Sequence, residues 1–301
     1  MLHHRSGSTA GLISETFLAK HLPALLLGIT LIGLAPVIQA ADILIFSAPP
    51  RGPALQEAEV YAPIAQYLSE VTGKTIIYRH PGNWLSYQRN MQRGVYDLVF
   101  DGPHFVSWRM ARAKHQPLVS MPGKLSFVVY TRVDNTRIRD IYDLRGRTIC
   151  GLAPPNLATL TMYDQFRNPA RQPLVREVKN SPAGYKAVLA GKCVAGVMRD
   201  KLFNKLNKKG YKAKIIFHSK GVANQAFSAG PRISKTDKEK ITRAIMSPQG
   251  VRRMANFHKR FNKKNKPLSR ARRKAYDGLW RLLKDVWGFE IAVKKASRPG
   301  R

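Results

Sequence analysis

Asp101, Gly102, Pro103 and His104 follow directly on Val95 to Phe100, a short run of apolar, β-branched and aromatic residues. Such a run reads as a buried parallel strand, with Gly94 before it as a helix C-cap. Pro103 suits the first turn of a helix, so His104 and Phe105 fall where backbone N–H groups lack intrahelical partners. Ligands of open α/β sheets bind at the carboxyl ends of the strands. There His104 could donate to an oxyanion and Asp101 could accept from a protonated ligand oxygen. The alternative is an ordinary βα turn. The same rule selects Ser47 and Pro49 after a first strand, and Asn156 and Thr159 at a later helix start, where a polar side chain either caps the helix or meets an anion. Tyr185, near a helix start, and Asp200, just past a strand, complete the candidate set.

Other chemistries find little support in the residue types. The eight histidines are scattered, without His-Glu-x-x-His, and there is no Cys-x-x-Cys. Neither a metal site nor any other cofactor is expected. Gly-x-Ser-x-Gly, a P-loop and Gly-x-Gly-x-x-Gly are also absent, so the expected activity is binding without bond making or breaking.

The elements that must position these residues belong to a 301-residue chain with 44% hydrophobic residues, long enough for one large or two medium domains with real cores. Its formal charge of +34 favours anionic surroundings: nucleic acid, acidic lipid or lipopolysaccharide. Residues 1–40 have the form of an export signal, with Arg5 and Lys20 ahead of the apolar run Leu22 to Leu34 and Ile38-Gln39-Ala40 at the cleavage positions. The run is too short and too broken by Gly and Pro for a comfortable membrane span. The expected product is a periplasmic protein starting near Ala41. In that oxidising compartment Cys150 and Cys193, the only two cysteines, are expected to pair, although strands two steps apart would hold the sulfurs too far away.

Strand and helix signals alternate along the mature chain, the signature of a mainly parallel sheet. Ile43 to Ser47, Thr75 to Tyr78, Val95 to Phe100 and Leu125 to Arg132 are expected strands; Ala58 to Val71 and Trp84 to Arg93 are expected helices. A second series follows, with strands Arg147 to Gly151, Leu174 to Val178, Val194 to Met198, Lys214 to His218 and Ala223 to Ser228, and helices Pro155 to Phe166 and Pro182 to Ala190. Helices are then expected over Thr236 to Met246, Gly250 to Phe261 and Ser269 to Trp287.

Three patterns in fixed order carry a family resemblance: Tyr61-x-Pro63-x-Ala65-x-Tyr67-Leu68-x-x-x-Thr72-Gly73, Gly94-x-x-Asp97-Leu98-x-x-x-Gly102-Pro103, and Asp143-Leu144-x-Gly146-x-Thr148. The chain resembles the periplasmic phosphate, phosphite and phosphonate-binding proteins of ABC importers. The resemblance implies an α/β, type II periplasmic-binding fold, in which two α/β lobes joined by a two-strand hinge close on a small solute. It implies lobe 1 over 41–130, lobe 2 over 131–227 and a return to lobe 1 over 228–301, with crossings near Val129 to Arg132 and Ala226 to Ala229. Its implied partners are a small oxyanion, phosphate or phosphonate-like, and an inner-membrane ABC permease, with the protein a monomer. Where the family carries a Ser/Thr-rich turn for the phosphonate oxygens, this chain reads Ala153-Pro154-Pro155-Asn156-Leu157-Ala158-Thr159-Leu160-Thr161.

Two other classes stay open. One is a ligand-binding sensor subunit of the cell envelope. The other uses the basic runs after Met198, with Phe261 and Trp280 interleaved, to bind nucleic acid or an anionic envelope surface. Helical spacing of Leu279, Leu282, Leu283 and Val286 instead suggests that Trp280 packs inward while the charges stay solvated.

Overall fold

The computed structural model describes residues 43–208, 210–284, 286 and 289. The export segment 1–40, its cleavage point at Ala40 and the expected helix end at Trp287 lie outside the described residues.

Lobe 1 begins with β1 (Leu44–Ser47), α1 (Ala54–Thr72), β2 (Ile76–Tyr78), α2 (Trp84–Gln92), β3 (Leu98–Asp101), α3 (Pro103–Arg112) and β4 (Gln116–Ser120). Helix α1 forms because Val60, Tyr61, Ile64, Ala65 and Leu68 recur on one face and are buried together. Gly73 ends it in the left-handed region, φ 69°, its N–H on the Ser69 carbonyl. Pro63 inside the helix has no N–H for the Glu59 carbonyl four residues back. The Asn256 side chain fills that role, Nδ2 donating to Glu59 O at 3.0 Å.

The chain then crosses through β5 (Lys124–Leu125) into lobe 2: β6 (Phe127–Arg132), β7 (Thr148–Gly151), α4 (Leu157–Tyr163), β8 (Leu174–Glu177), α5 (Ser181–Leu189), β9 (Ala195–Arg199), α6 (Asp200–Asn207) and β10 (Ala213–His218). It returns through β11 (Val222–Ala223) to β12 (Ala226–Ala229), α7 (Lys235–Met246), α8 (Pro248–Arg253), α9 (Ala255–Phe261) and β13 (Ser269–Arg270).

The sheets run β13-β4-β12-β3-β1-β2 in lobe 1 and β10-β6-β9-β7-β8 in lobe 2. In each, one strand has parallel neighbours on both sides: β1 between β2 and β3, and β7 between β8 and β9. The others join antiparallel, so the sheets are mixed, not mainly parallel. The two crossing strands β5 and β11 pair with each other, antiparallel. Val129 to Arg132 lies inside β6 and Ala226 to Ala229 is β12 itself, so the lobes divide earlier than residues 130 and 227. Burial explains the shift: Val128, Val129 and Tyr130 are covered on both faces, as a central strand must be, whereas Lys124 in the crossing is exposed.

Strand β9 lies directly beside β7, which brings Cys150 and Cys193 to a Cα separation of 5.7 Å and into a disulfide. The expected helix over Gly250 to Phe261 breaks at buried Met254. Ser269 to Trp287 does not form one helix: β13 adds to the β4 edge, and two 3-10 turns follow, Arg273–Ala275 and Leu279–Leu283, with Gly278 at φ 78° between them. Its apolar side chains still face inward, with Leu283 buried and Trp280, Leu282 and Val286 packed against the same cluster, and the Trp280 backbone N–H donates to Ser107 Oγ at 2.9 Å. Among the described residues no helix is long and apolar enough to cross a membrane, and no group of three or more His, Cys, Asp or Glu could hold a metal.

Candidate functional site

The strand ends of the two lobes and the two crossings surround a cleft of about 720 Å³. Lobe 1 contributes the loop after β1 with Pro49 and Arg51, the start of α2 with Trp84, and Gly102, His104 and Phe105 after β3. From lobe 2 come Asn156 after β7, Glu177, Lys179, Asn180 and Ser181 after β8, and Arg199 at the end of β9. Three cations, Arg51, Lys179 and Arg199, thus share the lining with one carboxylate, Glu177. The balance favours an anion.

Each charged or polar group is held differently. The Arg51 guanidinium donates to Tyr61 OH at 3.2 Å and to Gln225 Oε1 at 2.9 Å, with the rings of Phe100 and Phe261 below 6 Å from it. It is therefore fixed between lobe 1 and the returning crossing. Arg199 is half-buried, and its Nε–H has no hydrogen-bond partner. Lys179 is exposed just ahead of the α5 N-cap, Asn180, whose Oδ1 accepts from the Ala183 N–H at 2.9 Å. The N-termini of α3 and α5 thus open on the cleft from opposite lobes, adding positive partial charge to that of the side chains.

His104 spans the gap. Its Nε2 lies 3.1 Å from the Pro155 carbonyl oxygen, and since that oxygen can only accept, Nε2 carries the proton. Burial, opposed by the Pro155 carbonyl and the Asp101 carboxylate, pushes the imidazole down to about 4, so the ring is neutral at pH 7. Its Nδ1 is a buried acceptor without a partner. His104 and Arg199 therefore offer an unmet acceptor and an unmet donor in one cleft.

Of the residues selected from sequence, Pro49, Gly102, His104, Phe105 and Asn156 meet in this cleft. The others are committed elsewhere. Asp101, the last residue of β3, is fully buried, Oδ2 accepting from Arg109 Nε at 2.6 Å and Oδ1 from Tyr87 OH, so both oxygens are already engaged. Ser47 Oγ donates to the Arg79 carbonyl at 2.8 Å, and buried Thr159 donates to the Leu152 carbonyl. Tyr185 packs on Tyr130 and Phe203 and donates to Asn207 Oδ1 at 2.8 Å. Asp200 accepts from Ser126 Oγ in the outgoing crossing, tying α6 to it. Arg51, Lys179, Arg199 and Trp84 were not selected from sequence. The strand-end rule, carried on past β8 and β9, reaches Lys179 and Arg199.

The rival use of Phe261 and Trp280 meets a similar difficulty. Phe261 packs against Phe100 and Phe257, and the guanidinium groups of Arg112 and Arg281 lie within 6 Å of the Trp280 ring.

Residues 46–265 match the family model described as "ABC transporter, phosphonate, periplasmic substrate-binding protein". The chain belongs to this family. No curated protein matches this phosphonate-binding family member at a significant level. Among solved structures, it is similar to XAC2383 from Xanthomonas citri bound to ATP, at 12% identity over 80% of this chain and 97% of that one, TM-score 0.64. It is also similar to PhnD1 from Prochlorococcus marinus in complex with methylphosphonate, at 13% identity over 81% and 98%, TM-score 0.59. A binding-protein component of an ABC phosphonate transporter from Pseudomonas aeruginosa matches at 10% identity over 77% and 82%, TM-score 0.53. At these identities the likeness establishes the type II periplasmic-binding fold alone.

Proposed function

We propose that this chain is the solute-capturing subunit of an ABC importer, working in the periplasm, and that its solute is a phosphorus oxyanion, a phosphonate before inorganic phosphate. The observation that carries the reading is the cleft lining: Arg51, Lys179 and Arg199 against Glu177 alone, with the α3 and α5 N-termini on opposite walls. A tetrahedral anion placed there accepts from Arg199 Nε, the Lys179 ammonium and Ser181, while one protonated oxygen donates to His104 Nδ1. That pairing favours a singly protonated anion, and moves the acceptor role foreseen for Asp101 to His104.

Capture works by closure of the lobes about β5 and β11, and the closed form is what an inner-membrane permease recognises. No residue of the cleft has a reaction to perform. Calorimetric titration of the processed protein with methylphosphonate, phosphite, phosphate and ATP tests the reading, ATP entering because a fold neighbour binds it. Saturable heat with at least one phosphorus oxyanion is the expected result. No heat with any of the four overturns it.

A further inference from the structure

The cleft has a neighbour that a small oxyanion does not need. A second chamber of about 680 Å³ adjoins it, and Trp84 and Pro155 line both. Apolar side chains form one part of its walls: Leu160, Tyr163 and Phe166 from the α4 side, Leu282 and Val286 from the C-terminal segment. That segment forms a roof between the lobes, since Leu283 is buried with Trp108 and Phe105 of α3 and with Leu160 of α4, while Leu282 also packs against the lobe 2 core. Of the polar members, Asp164, Arg167 and Arg281 are exposed and belong to the mouth, while buried Gln88 and half-buried Gln172 lie further in.

Trp84 stands where the two spaces meet. Its ring stacks on Phe105 at 6.1 Å and 27°, yet 39% of the residue remains exposed. A large apolar ring left uncovered between two cavities is a ready contact for an organic group. Size points the same way. The five heavy atoms of methylphosphonate displace on the order of 150 Å³, at about 30 Å³ per water-sized group. They fill only a fraction of the first chamber and reach none of the second.

We propose that the second chamber receives the organic substituent of the ligand, so that the solute is a phosphonate or phosphate monoester carrying an apolar or aromatic group larger than methyl. The proposal rests on the oxyanion reading of the cleft: the head group stays with Arg199 and Lys179, and the substituent passes Trp84 and Pro155 to lie among Leu160, Tyr163 and Val286.

Calorimetry with methylphosphonate and phenylphosphonate tests it. In the parent protein phenylphosphonate should bind at least about tenfold tighter, the gain expected for burying an aromatic ring. Val286→Trp, which fills the chamber, should remove that advantage and leave methylphosphonate affinity unchanged. Tyr163→Ala, which strips one wall, should reduce the advantage and serves if the larger side chain prevents folding. Equal affinity for the two phosphonates in the parent, or a variant that weakens both alike, overturns the proposal while the oxyanion reading stands. Failure of both phosphonates to bind the parent overturns the two readings together.

Discussion

The two walls of the cleft treat their charged residues in opposite ways. Behind the lobe 1 wall, Asp101 and Arg109 are fully buried and paired with each other and with Tyr87, and Arg51 is held by Tyr61 and Gln225. On the lobe 2 wall, Arg199 keeps an unpartnered Nε–H and Lys179 is exposed. The first arrangement sets charge against charge inside the fold, leaving only Arg109 Nη1 of that cluster without a partner; the second sets no carboxylate against Arg199 and leaves Lys179 open to something that arrives. A charged residue at a strand end is thus a ligand candidate only if its own protein has not already paired it.

The largest effect expected from this contrast is on stability. Replacing Asp101 by Ala leaves Arg109 charged, buried and without its carboxylate, which costs about 3–5 kcal/mol. Denaturant unfolding should show that loss for Asp101→Ala, whereas Lys179→Ala, on the open surface, should stay within about 0.5 kcal/mol of the parent. A Lys179→Ala variant as damaged as Asp101→Ala would erase the distinction between the walls.

The disulfide ranks next. Closing 43 residues between Cys150 and Cys193 removes chain entropy from the unfolded state worth up to about 4 kcal/mol, with 2–4 typical. The Cys150→Ser and Cys193→Ser double variant should lose that stability and leave oxyanion affinity unchanged, since neither residue lines the cleft. Two titratable thiols in the unreduced, denatured parent would show that the bond is not formed.

Protonation of His104 comes third. The ring titrates at about 4 in the folded chain against 6.5 in a free histidine, because burial disfavours its charged form. The unfolded chain therefore takes up the proton first as pH falls, so full stability is present above 6.5 and is lost between 6.5 and about 4. The loss over the whole window is on the order of 3 kcal/mol, at 1.36 kcal/mol per unit. Buried His115, lowered to about 3, steepens the same slope. Unfolding midpoints at pH 7, 5.5 and 4 should show a shallower acid loss in His104→Gln than in the parent; parallel curves would mean that His104 does not titrate as a buried neutral ring.

Much of this architecture was legible in the residues. The strand leading into Gly102, which runs Leu98–Asp101 rather than Val95 to Phe100, the helix closed by Gly73 and the second βα series followed from local periodicity and breakers, because those signals act within a few residues. Long-range pairing was not legible. Asp101 meets Arg109 one helix later and Tyr87 one helix earlier, and no local signal says that the three converge. The position of β9 beside β7, which brings the cysteines together, depends on strand order that sequence spacing does not encode. The segment from Ser269 had helical apolar spacing, yet the unpaired edge of β4 and the turn at Gly278 claimed it, and only its inward face survived from the helical reading. In the site, strand-end reasoning reached Gly102, His104 and Asn156 but stopped short of Lys179 and Arg199, whose loops follow the same rule.

The central claim is that the lobe 2 donors bind the oxyanion, and the most direct measurement is the affinity of Arg199→Ala and Lys179→Ala for methylphosphonate beside the parent. Losing a charge-assisted hydrogen bond should weaken binding by about 1.5–3 kcal/mol, roughly ten- to over a hundredfold, in each variant with its unfolding midpoint preserved. Parent-like affinity in both variants would contradict the account, and would place the anion away from the wall that leaves its donors unpaired.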